Sequence, residues 1–141
     1  MDVSKYRKDF PILNSDDSPV YLDSACMTLR PKAVIEAITD YYTNYPACGG
    51  RSVHKLSWQV TENFEMARDS LRRFMGAESS SEIVFTKNAT ESMNIVANGL
   101  SLNKGDEVLT SDKEHNANVV PWHHLAKYKG IKYNVLPAKD N

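Results

Sequence analysis

The chain has 141 residues, with 25% charged and 41% hydrophobic side chains, and its 17 basic and 18 acidic residues give a net charge of −1. This composition is ordinary for a globular domain and lacks the basic excess of a nucleic-acid-binding protein. No apolar run approaches the roughly 20 residues of a membrane-spanning helix, and the N-terminal segment has no apolar stretch typical of a secretory signal. We therefore expect a cytoplasmic protein with neither a nucleic-acid nor a membrane partner.

The two cysteines, Cys26 and Cys48, fit no Cys-x-x-Cys pattern. Without a secretory signal, we expect both to be reduced thiols. Three histidines, His115, His123 and His124, lie close together in the sequence, but no cysteine or carboxylate stands beside them at a recognised zinc spacing. The sequence therefore predicts no metal site.

The first half of the chain predicts an irregular N-terminal arm over residues 1–20 and then two helices. The first helix covers residues 31–45 and begins at Pro31, because proline suits the first turn of a helix. The second covers residues 57–75, has apolar side chains at helical spacing and stops at Gly76.

Strand and helix patterns alternate after this point. The predicted elements are, in order, a strand at 82–86, a helix at 90–100, a strand at 107–110, a helix at 117–128 and a strand at 131–136. A βαβαβ order predicts an α/β fold, in which a parallel sheet is built through right-handed crossovers. Three strands make an incomplete sheet, whose open edge requires cover.

The segment 86–91, Thr-Lys-Asn-Ala-Thr-Glu, joins a predicted strand to a predicted helix. Asn88 is a good N-cap, and Glu91 follows at the spacing of a capping box. Ligands of open α/β sheets lie beyond the carboxyl ends of the strands, where the free N–H groups of a helix bind phosphate. The small Ala89 lets an anion approach the backbone, and Thr90 adds a hydroxyl donor. A well-capped helix without a ligand also fits this pattern, but we favour a phosphate site.

His115 follows the second predicted strand, so we expect it at the same sheet edge as the phosphate junction. An imidazole in that place is suited to stack on a planar aromatic ligand, although a surface or packing role is the simpler interpretation. The chain contains neither G-x-x-x-x-G-K-[ST] nor G-x-G-x-x-G. A nucleoside triphosphate or a dinucleotide is therefore poorly supported.

Five segments occur in an order that resembles a known family. They are Y-L-D-S-A-C at 21–26, G-R-S-V-H-K-L-S at 50–57, T-K-N-A-T-E-S-M-N-I-V-A at 86–97, G-D-E-V at 105–108 and E-H-N-A-N-V-V-P-W at 114–122. Together they resemble the N-terminal part of class V aminotransferases, and most closely the cysteine desulfurase and selenocysteine lyase group. The resemblance covers nearly the whole chain from Tyr21 onward.

The resemblance implies pyridoxal 5′-phosphate (PLP) as cofactor and the fold-type-I aminotransferase scaffold. Residues 21–141 would form the N-terminal part of the PLP-binding large domain, with an incomplete sheet. Ala89 and Thr90 would bind the cofactor phosphate, and His115 would be the catalytic residue that stacks on the pyridine ring. Asn118 lies where the family presents polar groups near the cofactor.

Two further positions are implied to lie on the substrate side of the site. His54 resembles a histidine at the active-site entrance, and Ala25 lies in a turn of small residues that lines the substrate. A purely structural role remains open for both. The chain departs from the common family pattern at three positions, which are Cys26 in place of alanine, Asn116 in place of a second histidine, and Ala89 in place of a second threonine.

The remaining catalytic groups of the family cannot be placed on these 141 residues. They are the lysine that forms the Schiff base with PLP, the aspartate under the pyridine nitrogen, the arginine that binds the substrate and the catalytic cysteine. We do not expect Cys26, Cys48 or Lys87 to replace them. We therefore expect weak or no PLP binding and no desulfurase turnover from these residues alone.

Three interpretations follow. In the first, the chain is the cofactor-phosphate portion of a desulfurase-like enzyme that converts L-cysteine to alanine and an enzyme-bound persulfide. The enzyme would work as a homodimer or with a complementing C-terminal half. It would pass sulfur to an acceptor protein for iron–sulfur cluster assembly. Alternatively, it is a non-catalytic module that pairs with a full-length homologue. The third interpretation is another class V PLP reaction, such as that of an aminotransferase or a lyase.

Overall fold

A computed structural model describes residues 2–138 of the chain. They divide into two compact units, one that ends at Ile83 and one that begins at Val84. No helix within these residues is long and apolar enough to cross a membrane. The predicted boundary between an arm at 1–20 and a domain at 21–141 stays a prediction.

The first unit is helical. Its elements are the short helix α1 at Ser4–Arg7, a 3₁₀ turn at Pro11–Leu13, helix α2 at Lys32–Asn44, helix α3 at Lys55–Met75 and a 3₁₀ turn at Ser80–Glu82. The two helices predicted over 31–45 and 57–75 are confirmed as α2 and α3. Pro31 is the N-cap residue of α2 in an extended conformation, and Gly76 ends α3 in the left-handed region with a φ of 70°.

The second unit alternates helix and strand. It contains helix α4 at Ala89–Gly99, strand β1 at Glu107–Ser111, a 3₁₀ turn at Asn116–Asn118, helix α5 at Val120–Lys129 and strand β2 at Lys132–Leu136. β1 and β2 pair in parallel, from Glu107 opposite Lys132 to Ser111 opposite Leu136, and α5 makes the crossover between them. The predicted α/β class and the incomplete sheet are confirmed.

One predicted element is wrong, because residues 82–86 do not form a strand among the described residues. Ser79 caps a 3₁₀ turn, and its capping box with Glu82 draws the beginning of the predicted strand into that turn. Ile83 is extended, with φ −101° and ψ 118°, but residues 83–86 pair with no strand. A strand requires a neighbouring strand to complete its backbone hydrogen bonds, and residues 2–138 supply none here.

The core of the described residues lies in the second unit. Ala97 of α4, Trp122 and Leu125 of α5, and Ile131 before β2 are buried together. Val108 of β1 and Tyr133 of β2 are half-buried against them. The small core therefore ties α4 and the β1–α5–β2 crossover into one body.

The helices of the first unit leave their apolar faces open. Val34 and Ile38 of α2 and Phe64 of α3 line a groove of about 800 Å³, yet 40–54% of the surface of each of these three side chains is exposed. Because apolar burial is the main favourable contribution to folding, we expect low stability of these residues on their own.

The loop before α3 is anchored by hydroxyl groups of that helix. Ser57 is fully buried, and its hydroxyl donates to the carbonyl of Cys48 at 2.5 Å. The hydroxyl of Thr61 accepts from the N–H of Gly50 at 2.8 Å and donates to the carbonyl of Ser57 at 2.8 Å. The loop turns at Gly50 with a φ of 72°, which glycine adopts readily because it has no Cβ.

We predict that Ser57→Ala lowers the local stability of α3 by about 1–3 kcal/mol, because the Cys48 carbonyl loses the donor that the buried Ser57 hydroxyl supplies. Native-state hydrogen exchange of the α3 amides measures this change. Ser70→Ala is the matched control, since the Ser70 hydroxyl makes a similar bond to the Met66 carbonyl on an exposed part of the same helix. The control should change stability by less than about 0.5 kcal/mol, and equal effects of both substitutions would contradict the anchoring role of Ser57.

Candidate functional site

The N-terminus of α4 presents unused donors. Among residues 2–138, no acceptor pairs with the backbone N–H groups of Ala89 and Thr90 or with the Thr90 hydroxyl, and both residues are exposed. These N–H groups belong to the first helical turn, where the helix itself supplies no acceptor and the partial charge is positive. The three donors therefore fit an anion such as a phosphate group.

A capping box fixes the beginning of this helix. The side chain of Asn88 accepts from the N–H of Glu91 at 2.9 Å, and the Glu91 carboxylate accepts from the N–H of Lys87 at 2.7 Å. The ammonium of Lys87 lies 3.5 Å from the same carboxylate and is largely exposed. The predicted cap is thus confirmed, and it leaves Ala89 and Thr90 as the free end of the helix.

His115 lies at the same pocket as Thr90. The pocket has a volume of about 340 Å³, and it is lined by Thr90 and Asn94 of α4, by His115 and by residues that follow it up to Pro121. The ring nitrogen Nδ1 of His115 accepts from the N–H of Ala117 at 3.1 Å, which fixes the orientation of the imidazole. The structure therefore brings together a helix N-terminus and an exposed imidazole. The sequence predicted this neighbourhood at a common sheet edge, but residues 82–86 before the helix form no strand among the described residues.

The Asn118 side chain is used within the loop between β1 and α5. Its Nδ2 donates to Glu114 at 2.9 Å, and its Oδ1 accepts from the indole N–H of Trp122 at 3.0 Å. The second oxygen of Glu114 accepts from the Ser111 hydroxyl at 2.9 Å. An amide can make more hydrogen bonds than these two, so they do not rule out a contact of Asn118 with a cofactor. That contact stays a prediction.

Sequence reasoning missed Glu114 and Trp122 as parts of this site. The available signal was the spacing of residues 114, 118 and 122, since side chains four residues apart meet on one side of a helical segment. The Asn118 amide, and to a smaller extent the Ser111 hydroxyl, hold the pKa of Glu114 below its ordinary value of 4.5. Glu114 is therefore a carboxylate acceptor near neutral pH.

The two predicted substrate-side residues lie in the first unit. Ala25 is exposed in a turn at residues 24–26, where the N–H of Cys26 donates to the carbonyl of Asp23 at 3.1 Å. His54 is the N-cap residue of α3, and its Nδ1 accepts from the N–H of Ser57 at 3.4 Å. Their roles toward a substrate stay predictions.

Other reactive groups form no second cluster among the described residues. Cys26 and Cys48 are free and exposed thiols. Within residues 2–138, no three histidine, cysteine, aspartate or glutamate side chains are grouped so that they could hold a metal ion.

Comparison with known proteins places the chain in a family. The family model for aminotransferase class-V matches residues 20–141. The chain belongs to the aminotransferase class-V family. It is 41% identical over 147 aligned positions to a probable cysteine desulfurase of Halalkalibacterium halodurans, an alignment that covers 100% of this chain and 36% of that protein.

Solved structures have the same fold. The apo cysteine desulfurase of Thermococcus onnurineus NA1 matches with a TM-score of 0.85 and 38% identity, over 96% of this chain and 33% of that one. The cystine C–S lyase C-DES, known with glycine covalently linked to its PLP cofactor, matches with a TM-score of 0.68 and 26% identity, over 78% of this chain and 28% of that one. The chain thus spans about a third of the length of these relatives and has the fold of their N-terminal portion.

We predict that the second unit loses stability at acidic pH through Glu114. Because its pKa is lowered in the folded state, its contribution is fully present above the ordinary value of 4.5 and is lost as pH falls through the folded-state pKa. Urea unfolding followed by Trp122 fluorescence in a Trp58→Phe background measures this loss between about pH 3 and about pH 6. Glu114→Gln should flatten that dependence.

Glu107→Gln serves as the comparison for this pH dependence. The Glu107 carboxylate, whose pKa is lowered chiefly by its hydrogen bond from Lys132, lies at the beginning of β1 and outside the Glu114 hydrogen bonds. Glu107→Gln should leave unchanged the part of the pH dependence of stability that Glu114 supplies. An unchanged pH profile in the Glu114→Gln variant would contradict the role given to Glu114.

Proposed function

We propose that this chain is the cofactor-phosphate-binding portion of a PLP-dependent, cysteine desulfurase-like enzyme. The observation that carries the proposal is the pocket shared by Thr90 and His115. It offers unpaired donors of a helix N-terminus on one side and an exposed imidazole on the other. Family membership and the names of the relatives support PLP and cysteine chemistry.

The residues of this pocket fit the chemical parts of PLP. The N–H groups of Ala89 and Thr90 and the Thr90 hydroxyl would donate to the phosphate, which carries negative charge at neutral pH. The flat His115 ring would stack on the aromatic pyridine, because aromatic rings favour offset stacking. Lys87 is proposed to support the capping box through Glu91 and not to bind the cofactor covalently.

PLP supplies an electron sink that weakens the bonds at the α-carbon of a bound amino acid. The chain's own contribution would be to anchor and orient the cofactor, because catalysis of this kind depends on correct placement of the reacting group. Ala25 and His54 are proposed to line the substrate side. In the intact enzyme the substrate would be L-cysteine, and the products would be alanine and an enzyme-bound persulfide.

Further assignments belong to this proposal. The enzyme would be cytoplasmic and homodimeric, or completed by a C-terminal half, and it would pass sulfur to an acceptor protein for iron–sulfur cluster assembly. A C–S lyase is the second candidate, because C-DES is among the structures that the chain matches. A product assay with L-cysteine and L-cystine distinguishes the two, since only a desulfurase forms alanine from cysteine.

We predict that Thr90→Val weakens PLP binding by about tenfold to a hundredfold, because a charge-assisted hydrogen bond is worth about 1.5–3 kcal/mol. Thr90→Ser, which keeps the hydroxyl, should bind nearly as tightly as the native protein. Equilibrium titration of the native polypeptide that contains these residues measures both affinities. Pyridoxal, which lacks the phosphate, should bind the native protein and Thr90→Val with similar affinity.

Two results would overturn the phosphate assignment. One is an unchanged PLP affinity in Thr90→Val. The other is an equal loss of pyridoxal affinity, which would mean that the substitution disturbs the pocket and not a phosphate contact.

A further inference from the structure

Hydrogen bonds connect the end of β1 with Trp122 in the first turn of α5, and they join residues on either side of His115 in the sequence. The Ser111 hydroxyl donates to Glu114 at 2.9 Å, Asn118 donates to Glu114 at 2.9 Å, and the Trp122 indole donates to Asn118 at 3.0 Å. Trp122 is only 7% exposed and belongs to the core with Ala97 and Leu125. The network therefore has one end in the sheet and the other in the core.

We propose that Glu114 and Asn118 are positioning residues, which hold His115 beside Thr90 through the 3₁₀ turn at Asn116–Asn118. This inference rests on the proposed function in one respect, namely that the His115 ring faces the cofactor. Asn118 would then act through His115, and contact with the cofactor would be unnecessary for its effect.

The hydrogen bonds of His115 within residues 2–138 lie in one short turn, and the residue is exposed. Its Nδ1 accepts from the Ala117 N–H at 3.1 Å, and its carbonyl accepts from the Asn118 N–H at 2.8 Å. A single 3₁₀ turn has poor hydrogen-bond geometry and little stability of its own. The side chain of Asn118 fixes the end of that turn to Glu114 and to the core.

The arrangement has a spectroscopic signature. Because Nδ1 of His115 accepts a hydrogen bond from the Ala117 N–H, the neutral imidazole must carry its proton on Nε2. A turn released from Glu114 and Trp122 would no longer hold the Ala117 N–H against Nδ1. The neutral ring would then exchange between its two tautomers, which differ in their ¹⁵N chemical shifts.

The test exchanges the carboxylate of Glu114 and the amide of Asn118 between the two positions. Asn118→Asp places a second carboxylate against Glu114, so we expect His115 to lose its single tautomer and PLP affinity to fall by about tenfold. Adding Glu114→Gln lets the new amide donate to the new carboxylate, which can still accept from Trp122. The double variant should regain both the tautomer and the affinity. Glu114→Ala removes the acceptor without adding charge and should resemble Asn118→Asp.

Asn44→Asp is the matched control. The Asn44 side chain also donates to a carboxylate four residues away, that of Asp40 at 2.6 Å, but it lies on α2 in the first unit. This substitution also places two carboxylates four residues apart, here at an exposed position, and should leave the His115 tautomer unchanged. A shift of the tautomer in this control would show a general loss of structure and would contradict the specific network.

The two readouts separate this inference from the proposed function. ¹⁵N spectra of the neutral His115 imidazole require no PLP. A single His115 tautomer that persists in both Asn118→Asp and Glu114→Ala would overturn the positioning role. A double variant that fails to restore the tautomer would overturn it as well. If the tautomer responds as expected but the native polypeptide that contains these residues does not bind PLP, the network stands and the PLP assignment fails.

Discussion

The packing of α4 against the turn that follows β1 is the contact on which the candidate site depends. It brings the unpaired N–H groups of Ala89 and Thr90 to the pocket that His115 lines. Each group alone is unremarkable, because capped helices and exposed histidines occur widely in proteins. Their shared pocket is the observation on which we propose a ligand with a phosphate group and a flat ring.

The core of the second unit keeps this contact in place. Trp122 belongs to the core and also to the turn that follows β1, since its ring is buried with Leu125 and its indole N–H donates to Asn118. A site built on a loop gains precision when its loop is hydrogen-bonded to rigid elements, because misplacement of a catalytic group lowers the rate steeply. The Glu114 carboxylate contributes to stability and to the placement of His115, so both effects would change together when it is protonated.

Sequence predicted local features well and long-range pairing less well. The cap at Asn88 followed from a pattern within one short segment. The parallel crossover from β1 to β2 and the placement of His115 near Thr90 followed instead from the order of the predicted helices and strands. The strand at 82–86 failed because its backbone needs a partner that no local pattern reveals, and because Ser79 and Glu82 form a turn at its beginning. The hydrogen bonds of Asn118 within its own loop were also missed, because the packing of the folded chain decides whether such a side chain bonds to its loop or to a ligand.

Mapping the contacts of PLP by NMR tests the shared pocket most directly. Titration of the native polypeptide that contains these residues with PLP should shift the amide resonances of Ala89 and Thr90 together with the ring resonances of His115, whereas pyridoxal should shift the ring and leave the two amides nearly unchanged. Equal amide shifts from PLP and pyridoxal, or shifts by PLP confined to other residues, would contradict a phosphate site at the N-terminus of α4.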